Sequence, residues 1–215
     1  MILITLVLVV LVPVVGFAAA LIGVSLMAGF FFLFGVWFVF ALFTLYFFRD
    51  PTARVPAGAK LLVSPAHGKI DVIDPTTETE FMGGDCQRIS MFLSVLDVHV
   101  QNAPVGGRVV HLKHTEGQFM NAMRTECAAH NENVLIGIEA AEPRGVKVGL
   151  RLIAGVLARR IVPWVAVGDE VARGDRISLI QFGSRCDVYL PKSAKIQIKL
   201  GDHVVGGETV LAAFE

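Results

Sequence analysis

Between Met1 and Phe48 the chain has no Asp, Glu, Lys, Arg or His; all nineteen Lys and Arg and all nineteen Asp and Glu of its 215 residues fall from Arg49 onward. A cleavable secretory signal is excluded, because such a signal has a basic start and an apolar region of only about 7–15 residues. Cysteine is scarce. Cys86, Cys127 and Cys186 are odd in number, widely spaced and without a CxxC, which argues against a disulfide framework or a structural zinc site and for reduced thiols. None of the six histidines forms an HxxxH or HExxH pair, so no metal site is expected. A glycine-rich phosphate loop is also missing. With a net charge of zero and no basic stripe interleaved with aromatics, nucleic acid is not an expected partner.

The uncharged stretch itself reads as membrane-embedded. As one helix, residues 1–48 would run about 72 Å against a hydrocarbon core of about 30 Å. Two helices fit better, with a break around Gly23-Val24-Ser25 and apolar arms Ile2 to Ile22 and Leu26 to Phe48. This predicts a transmembrane α-hairpin. Trp37, Tyr46 and the closing phenylalanines suit an interface or lipid-facing wall, and Arg49, Arg54 and Lys60 follow at once. Basic residues beside a span favour the cytoplasmic side, which puts residues 49–215 in the cytoplasm, on the inner membrane.

Those residues read as one β-rich domain. Short apolar runs, from Lys60 to Val63 through to Thr209 to Phe214, alternate with Gly, Pro, Asp and Asn punctuation, the pattern of a mainly β fold. Gly149 to Val162 is equally compatible with a short helix. The loop Glu116 to Asn133 is long and polar enough to be a site or a lid. An internal repeat closes the chain: GDEVARGD from Gly168 is echoed 33 residues later by GDHVVGGE from Gly201. Each copy is a turn and a short strand, as in the two halves of a barrel-sandwich of the lipoyl or biotinyl type. The lysine that carries the prosthetic group in such carriers is absent from the tip, where Gly183-Ser184-Arg185 stands instead.

Gly183-Ser184 ends one apolar run and precedes another. A tight turn there would hold the serine hydroxyl against the preceding carbonyl, the geometry of a chain that cuts itself, although Gly-Ser is also a common turn dipeptide. A serine needs a base to take its proton. His99, in the alternating segment DVHVQNAP where it shares a face with Asp97, is one candidate, and a structural hydrogen-bonding histidine is the other reading. His111, His114, His130 and His203 read as solvated or structural.

FGSRCDVYLP at Phe182 to Pro191, IAGVLARRIV at Ile153 to Val162, FLSVLDVHVQNAPVGG at Phe92 to Gly107 and RDPTARVP at Arg49 to Pro56 together resemble the short bacterial form of phosphatidylserine decarboxylase. The resemblance runs from about Arg49 to the C-terminus. It implies a proenzyme that cleaves itself at Gly183-Ser184 into residues 1–183 (β) and 184–215 (α) and turns Ser184 into a pyruvoyl group that replaces pyridoxal phosphate. That group would hold the amine of phosphatidylserine as a Schiff base while carbon dioxide leaves, giving phosphatidylethanolamine, with no metal. His99 matches the family histidine of self-cleavage and proton transfer, and Phe119, Asn121, Asn131 and Glu132 are implied to line the headgroup site.

Two departures stand out. The family's SPADG reads SPAHG here, placing His67 where an aspartate would complete a serine-histidine-aspartate relay. The family's Asn-Glu-Arg reads Asn131-Glu132-Asn133. An imidazole cannot offer a carboxylate's charge to an imidazolium. Three accounts of His67 stay open: Asp97 or Asp71 substitutes, cleavage is slow but sufficient for one turnover, or the chain is a blocked proenzyme. A membrane-anchored β-domain without activity is the alternative from another class, and an ether lipid such as archaetidylserine is an alternative substrate. A homo-oligomer is compatible with the sequence.

Overall fold

The computed structural model describes residues 2–120, 130–155, 160–181 and 184–214, with side chains described from residue 11 onward. Asn121, Cys127, Phe182 and Gly183 lie outside the described residues. Two units result, Met1–Tyr46 and Phe47–Glu215.

The apolar segment forms α1 (Ile2–Phe47), a single 46-residue helix in place of the expected hairpin. Nothing at Gly23-Val24-Ser25 forces a reversal. Ser25 donates its hydroxyl to the Leu21 carbonyl four residues back, at 2.9 Å, which satisfies the serine inside a continuing helix. Leu11–Phe47 is long and apolar enough to cross a membrane. Its Val, Leu and Phe side chains are exposed on all faces, the character of a lipid-facing segment.

The second unit carries β1 (Leu61–Val63), β2 (Gly68–Glu78), β3 (Gly84–Leu93), β4 (Val100–Asn102), β5 (Gly107–Thr115), β6 (Asn133–Ala140), β7 (Lys147–Ala154), β8 (Ile161–Pro163), β9 (Glu170–Val171), β10 (Arg176–Ile180), β11 (Ser184–Leu190), β12 (Lys195–Ile196), β13 (His203–Val204) and β14 (Val210–Ala213). The mainly β class expected from the sequence holds. An eight-stranded sheet has the order β13-β2-β3-β11-β7-β6-β5-β9, and two three-stranded sheets have the orders β1-β14-β12 and β4-β10-β8. Ile153 and Ala154, within the run compatible with a helix, belong to strand β7, and Ile161 to β8.

The repeat has a clear structural counterpart. In Ala166-Val167-Gly168-Asp169, Ala172-Arg173-Gly174-Asp175 and Lys199-Leu200-Gly201-Asp202 the glycine has φ of 106°, 88° and 91°, a region open mainly to glycine. Each following carboxylate accepts the N–H three residues before it, at 2.8, 2.7 and 3.0 Å. The first and third of these turns lead into β9 and β13, the two edge strands of the large sheet.

Strand β11 lies inside that sheet, paired with β3 on one edge and β7 on the other, and every residue in it is buried. Side chains alternate across a strand. Cys186, Val188 and Leu190 enter the main core, while Arg185, Asp187 and Tyr189 take the opposite face. There Arg185, 1% exposed, donates to Asp71 through Nη1 at 2.6 Å and through Nη2. A register shift between Ile70 and Val72 marks a bulge at Asp71, a device that re-aims a side chain. Ser90 donates to the buried Asp187 carboxylate. Loss of hydration pushes the Asp187 carboxyl above its usual range, against the Ser90 hydrogen bond and the Arg185 guanidinium.

Asp71 is exposed but its partner Arg185 is buried; removing Asp71 leaves the buried guanidinium uncompensated, whereas replacing both with apolar groups is close to neutral. Asp71→Ala is expected to lower stability by roughly 3 kcal/mol, and Asp71→Leu with Arg185→Met to recover most of that loss. Chemical denaturation of the detergent-solubilised chain checks both.

Candidate active site

The sheet register gathers the candidate residues at one end of the large sheet. Across neighbouring strands, Ser184 stands opposite Leu93 of β3 and Ala154 of β7, and Gly68, next to His67, begins β2 beside Phe92 of β3. A Cβ at Gly68 would fall 2.5 Å from the Phe92 carbonyl oxygen, so the closeness of the His67 segment to β3 requires glycine. On the far side, Asn131 and Glu132 precede β6, and the Ala154 N–H donates to the Glu132 carbonyl at 2.9 Å.

Ser184 is the first residue of β11 and fully buried. Alternation puts its side chain on the core face. Its Oγ has no hydrogen-bond partner among the described residues. A buried hydroxyl left unpaired costs about 1–3 kcal/mol, which makes this an unusual place for a serine with only a structural role. The tight turn expected at Gly183-Ser184 falls partly outside the described residues; the described strands on either side belong to different sheets and meet at a corner. β10 pairs with β4 and β8, and β11 with β3 and β7, so residues 181–183 carry the chain from one sheet to another.

His99 lies at the same corner. The loop from Ser94 to His99 leaves β3 opposite Ser184, and the His99 carbonyl accepts the Ile180 N–H at 3.1 Å at the end of β10. The ring is buried, 1% exposed. Its Nδ1 is 2.9 Å from the Asp97 carbonyl oxygen. Because a carbonyl only accepts, Nδ1 carries the proton, and the lone pair of the neutral ring is on Nε2. Burial lowers the His99 pKa from 6.5 to about 4, opposed by the Asp97 carbonyl and carboxylate and reinforced by Arg49 and His67. At neutral pH the imidazole is therefore an uncharged base.

Asp97 joins this group. Its carboxylate accepts the Ser94 N–H at 2.8 Å and hydroxyl at 2.7 Å, and His203 Nε2 lies 3.0 Å from the other oxygen. His67 is half-buried; loss of hydration lowers its pKa, Asp97 raises it and Arg49 lowers it. Two accounts of His67 can now be compared. The Asp71 carboxylate is occupied by Arg185, whereas that of Asp97 acts electrostatically on both His99 and His67.

The headgroup candidates divide. Asn131, 1% exposed, has its amide engaged with Met120 N and O at 2.8 and 2.9 Å and with Ala154 O at 2.7 Å. It fastens the loop wall beside Ser184 and has little capacity left for a ligand. Phe119 packs against the main core. Glu132 pairs with His114 at 3.0 Å, and both line a cleft of about 530 Å³ with Leu112, Val134, Arg160, Ile161 and Pro163. Asn121 lies outside the described residues. Among the described residues no group of three His, Cys, Asp or Glu is placed to hold a metal ion.

Sequence reasoning missed three contributors. His203 was read as solvated or structural, and only the pairing of β13 with β2 brings it to Asp97. Arg49 was read as a flank of the membrane segment, yet its Nη2 donates to the Leu96 carbonyl at 2.6 Å. Phe47 was assigned to the membrane, yet its ring lies against His99 with centroids 4.3 Å apart. The ordered block beginning at Arg49 was the signal available for that region; nothing in the apolar run distinguished Phe47.

The family model for phosphatidylserine decarboxylase matches residues 40–212. Among curated proteins, the phosphatidylserine decarboxylase proenzyme of Desulfotalea psychrophila is 42% identical over 93% of this chain and 92% of its own length. That of Pelobacter propionicus is 41% identical over 92% and 91%. The proenzyme of Zymomonas mobilis is 46% identical over 77% of this chain and 69% of its own.

Proposed function

We infer, since this chain belongs to the phosphatidylserine decarboxylase family, that it is made as a proenzyme, cuts itself between Gly183 and Ser184, and converts phosphatidylserine to phosphatidylethanolamine and carbon dioxide. The observation that carries this reading is Ser184: a buried, unpartnered hydroxyl at the first position of a central strand, on the sheet end that also carries His67 and the loop to His99.

In the self-cleavage, His99 Nε2 takes the Ser184 proton as Oγ attacks the Gly183 carbonyl. The peptide C–N bond breaks and an ester forms, its nitrogen keeping the proton that His99 returns. Loss of the Ser184 α-proton then expels the Gly183 carboxylate and leaves dehydroalanine. Water converts this to a ketone and releases ammonia. Fixing Ser184 in the sheet at the start of β11 holds its hydroxyl in place for attack, and such positioning supplies much of the rate.

A pyruvoyl group derived from Ser184 fits the residues present: Oγ leaves with Gly183, Cβ becomes a methyl on the buried core face, and because Oγ has no partner among the described residues its loss leaves no polar group unpaired. When formed, the pyruvoyl group supplies an electrophilic carbonyl that engages the substrate amine and accepts the electron pair left by carbon dioxide; it takes the place of pyridoxal phosphate. His99 would hold a proton and deliver it to the substrate carbon that carbon dioxide has left. Of the headgroup candidates, Glu132 offers its carboxylate from the cleft it shares with His114, and Asn131 holds the segment beside Ser184 in place. His67 completes the polar group around His99, and Asp97 gives it the negative charge that His67 cannot.

The apolar helix associates the chain with a membrane, its lipid substrate's location. Working beside the bilayer avoids extraction of the acyl chains, which would cost about 0.8 kcal/mol per exposed CH₂. Arg49, Arg54 and Lys60 favour the cytoplasmic side of the inner membrane for residues 49–215.

Three outcomes are expected. Intact-mass analysis yields residues 1–183 and residues 184–215, the latter beginning with a pyruvoyl group, and Ser184→Ala yields one uncut chain; a short fragment with an unmodified N-terminal serine would contradict the chemistry. His67→Asp accelerates the appearance of fragments, by less than the roughly 10⁴ that a relay carboxylate is worth in serine enzymes, since Asp97 already acts on His99; equal rates would make position 67 irrelevant to the relay. A reporter fused after Glu215 and active only in the cytoplasm is active, and silence of that fusion in a stably expressed chain refutes the assigned side.

A further inference from the structure

Phe47 is the last residue of α1, yet unlike the helix before it, it is 1% exposed. Phe32 and Phe40 are 71% and 63% exposed, as lipid-facing residues would be. The Phe47 ring lies against the His99 imidazole, centroids 4.3 Å apart and planes at 35°. Two residues on, Arg49 Nη2 donates to the Leu96 carbonyl at 2.6 Å, inside the loop that carries His99. One short segment thus holds both the ring and its loop. Phe47 and Arg49 belong to the same compact unit as the sheets, and the family match begins before them, at residue 40.

We propose that the segment Phe47–Arg49 is a positioning element of the catalytic domain: Phe47 covers and orients the His99 ring, and Arg49 fixes the 94–99 loop. Each acts through His99. The domain therefore begins at the end of the apolar helix rather than after it, and the helix C-terminus serves the base as well as the anchor. The role of His99 in this inference rests on the self-cleavage proposed above; the packing does not.

The consequence for proton transfer has a definite sign. His99 is kept neutral down to a pKa of about 4, first by burial. The charged and titratable groups acting on it are Asp97, which raises its pKa, and Arg49 and His67, which lower it; His203 acts on it through its contact with Asp97. Taking away the Phe47 ring admits water, so the pKa climbs toward 6.5. The base then becomes protonated at a higher pH, and the acid limb of self-cleavage moves upward with it.

The experiment uses the full chain in detergent micelles. In a Ser184→Ala background, which stays in one piece, the imidazole carbon–proton NMR signals are titrated, with His99 assigned by His99→Gln. Phe47→Ala is expected to shift the His99 midpoint from about 4 toward 6.5, and Phe47→Leu, which restores an apolar cover, to bring most of that shift back. Leu33→Ala, on the exposed part of the helix, should leave the midpoint unmoved. With Ser184 present, Phe47→Ala should slow self-cleavage by about tenfold or more, as expected for a displaced catalytic group, and raise its acid limb. An unchanged His99 midpoint in Phe47→Ala overturns the proposal, as does an equal shift in Leu33→Ala. A wild-type chain that never cuts itself, but whose His99 midpoint responds to Phe47 as described, refutes the functional reading and leaves the positioning role standing.

Discussion

Everything at the candidate site depends on strand β11 being gripped along both edges. From Ser184 to Leu190 it pairs with β3, and from Ser184 to Tyr189 with β7. Its buried outward side chains are tied to Ser90 and, at the surface, to Asp71. A peptide bond broken just before such a strand would release no structure, because the strand's position does not depend on the residue that precedes it. β13 and β14, further along the same fragment, pair with β2 and β1, so residues 184–215 are woven through the sheets at several points. The sequence places a scissile-looking bond where the fold can tolerate its loss.

The same grip creates the chemistry. Strand β10 belongs to a different sheet, and only residues 181–183 link it to β11. The chain must change sheets within that span, which brings the exit of β10, the His99 backbone and the Ser184 end of β11 to one corner. The outer-face Arg185–Asp71 ion pair and the Ser90–Asp187 hydrogen bond hold β11 in register without entering the core face toward which Ser184 points. Alternation along the strand thus separates the charges that stabilise the sheet from the hydroxyl that is to react.

How much of this was legible follows from the range of the interactions. Turn chemistry is local, so the GD repeat was readable, and with it the punctuation of a β-rich domain. Ser184 and His99 were readable because family blocks preserve them in order. Sheet pairing is non-local: nothing within Ser178–Ser184 states that the flanking strands join different sheets. Likewise, an unbroken apolar run does not reveal where its last residue changes environment, so Phe47 was taken for lipid-facing. The α-hairpin was argued from membrane thickness, an external constraint. The helix is instead continuous because Gly23 and Ser25 are both tolerated in it, the serine through its bond to Leu21.

The electrostatics around His99 favour Asp97 over Asp71 as the carboxylate of the proposed relay. A base must be uncharged before it acts and able to bear a charge during proton transfer. Burial secures the first condition, and by itself it would oppose the second. The Asp97 carbonyl fixes the ring's tautomer from one side, and the Asp97 carboxylate, held by Ser94 and His203, favours the charged form. Asp71 can do neither, since its carboxylate serves Arg185 on the outer face. With a histidine at position 67, the negative charge beside the base comes from its own loop, two residues away. That shorter arrangement ties the orientation of His99 and its electrostatic support to the same residue, so a movement of the 94–99 loop would alter both together.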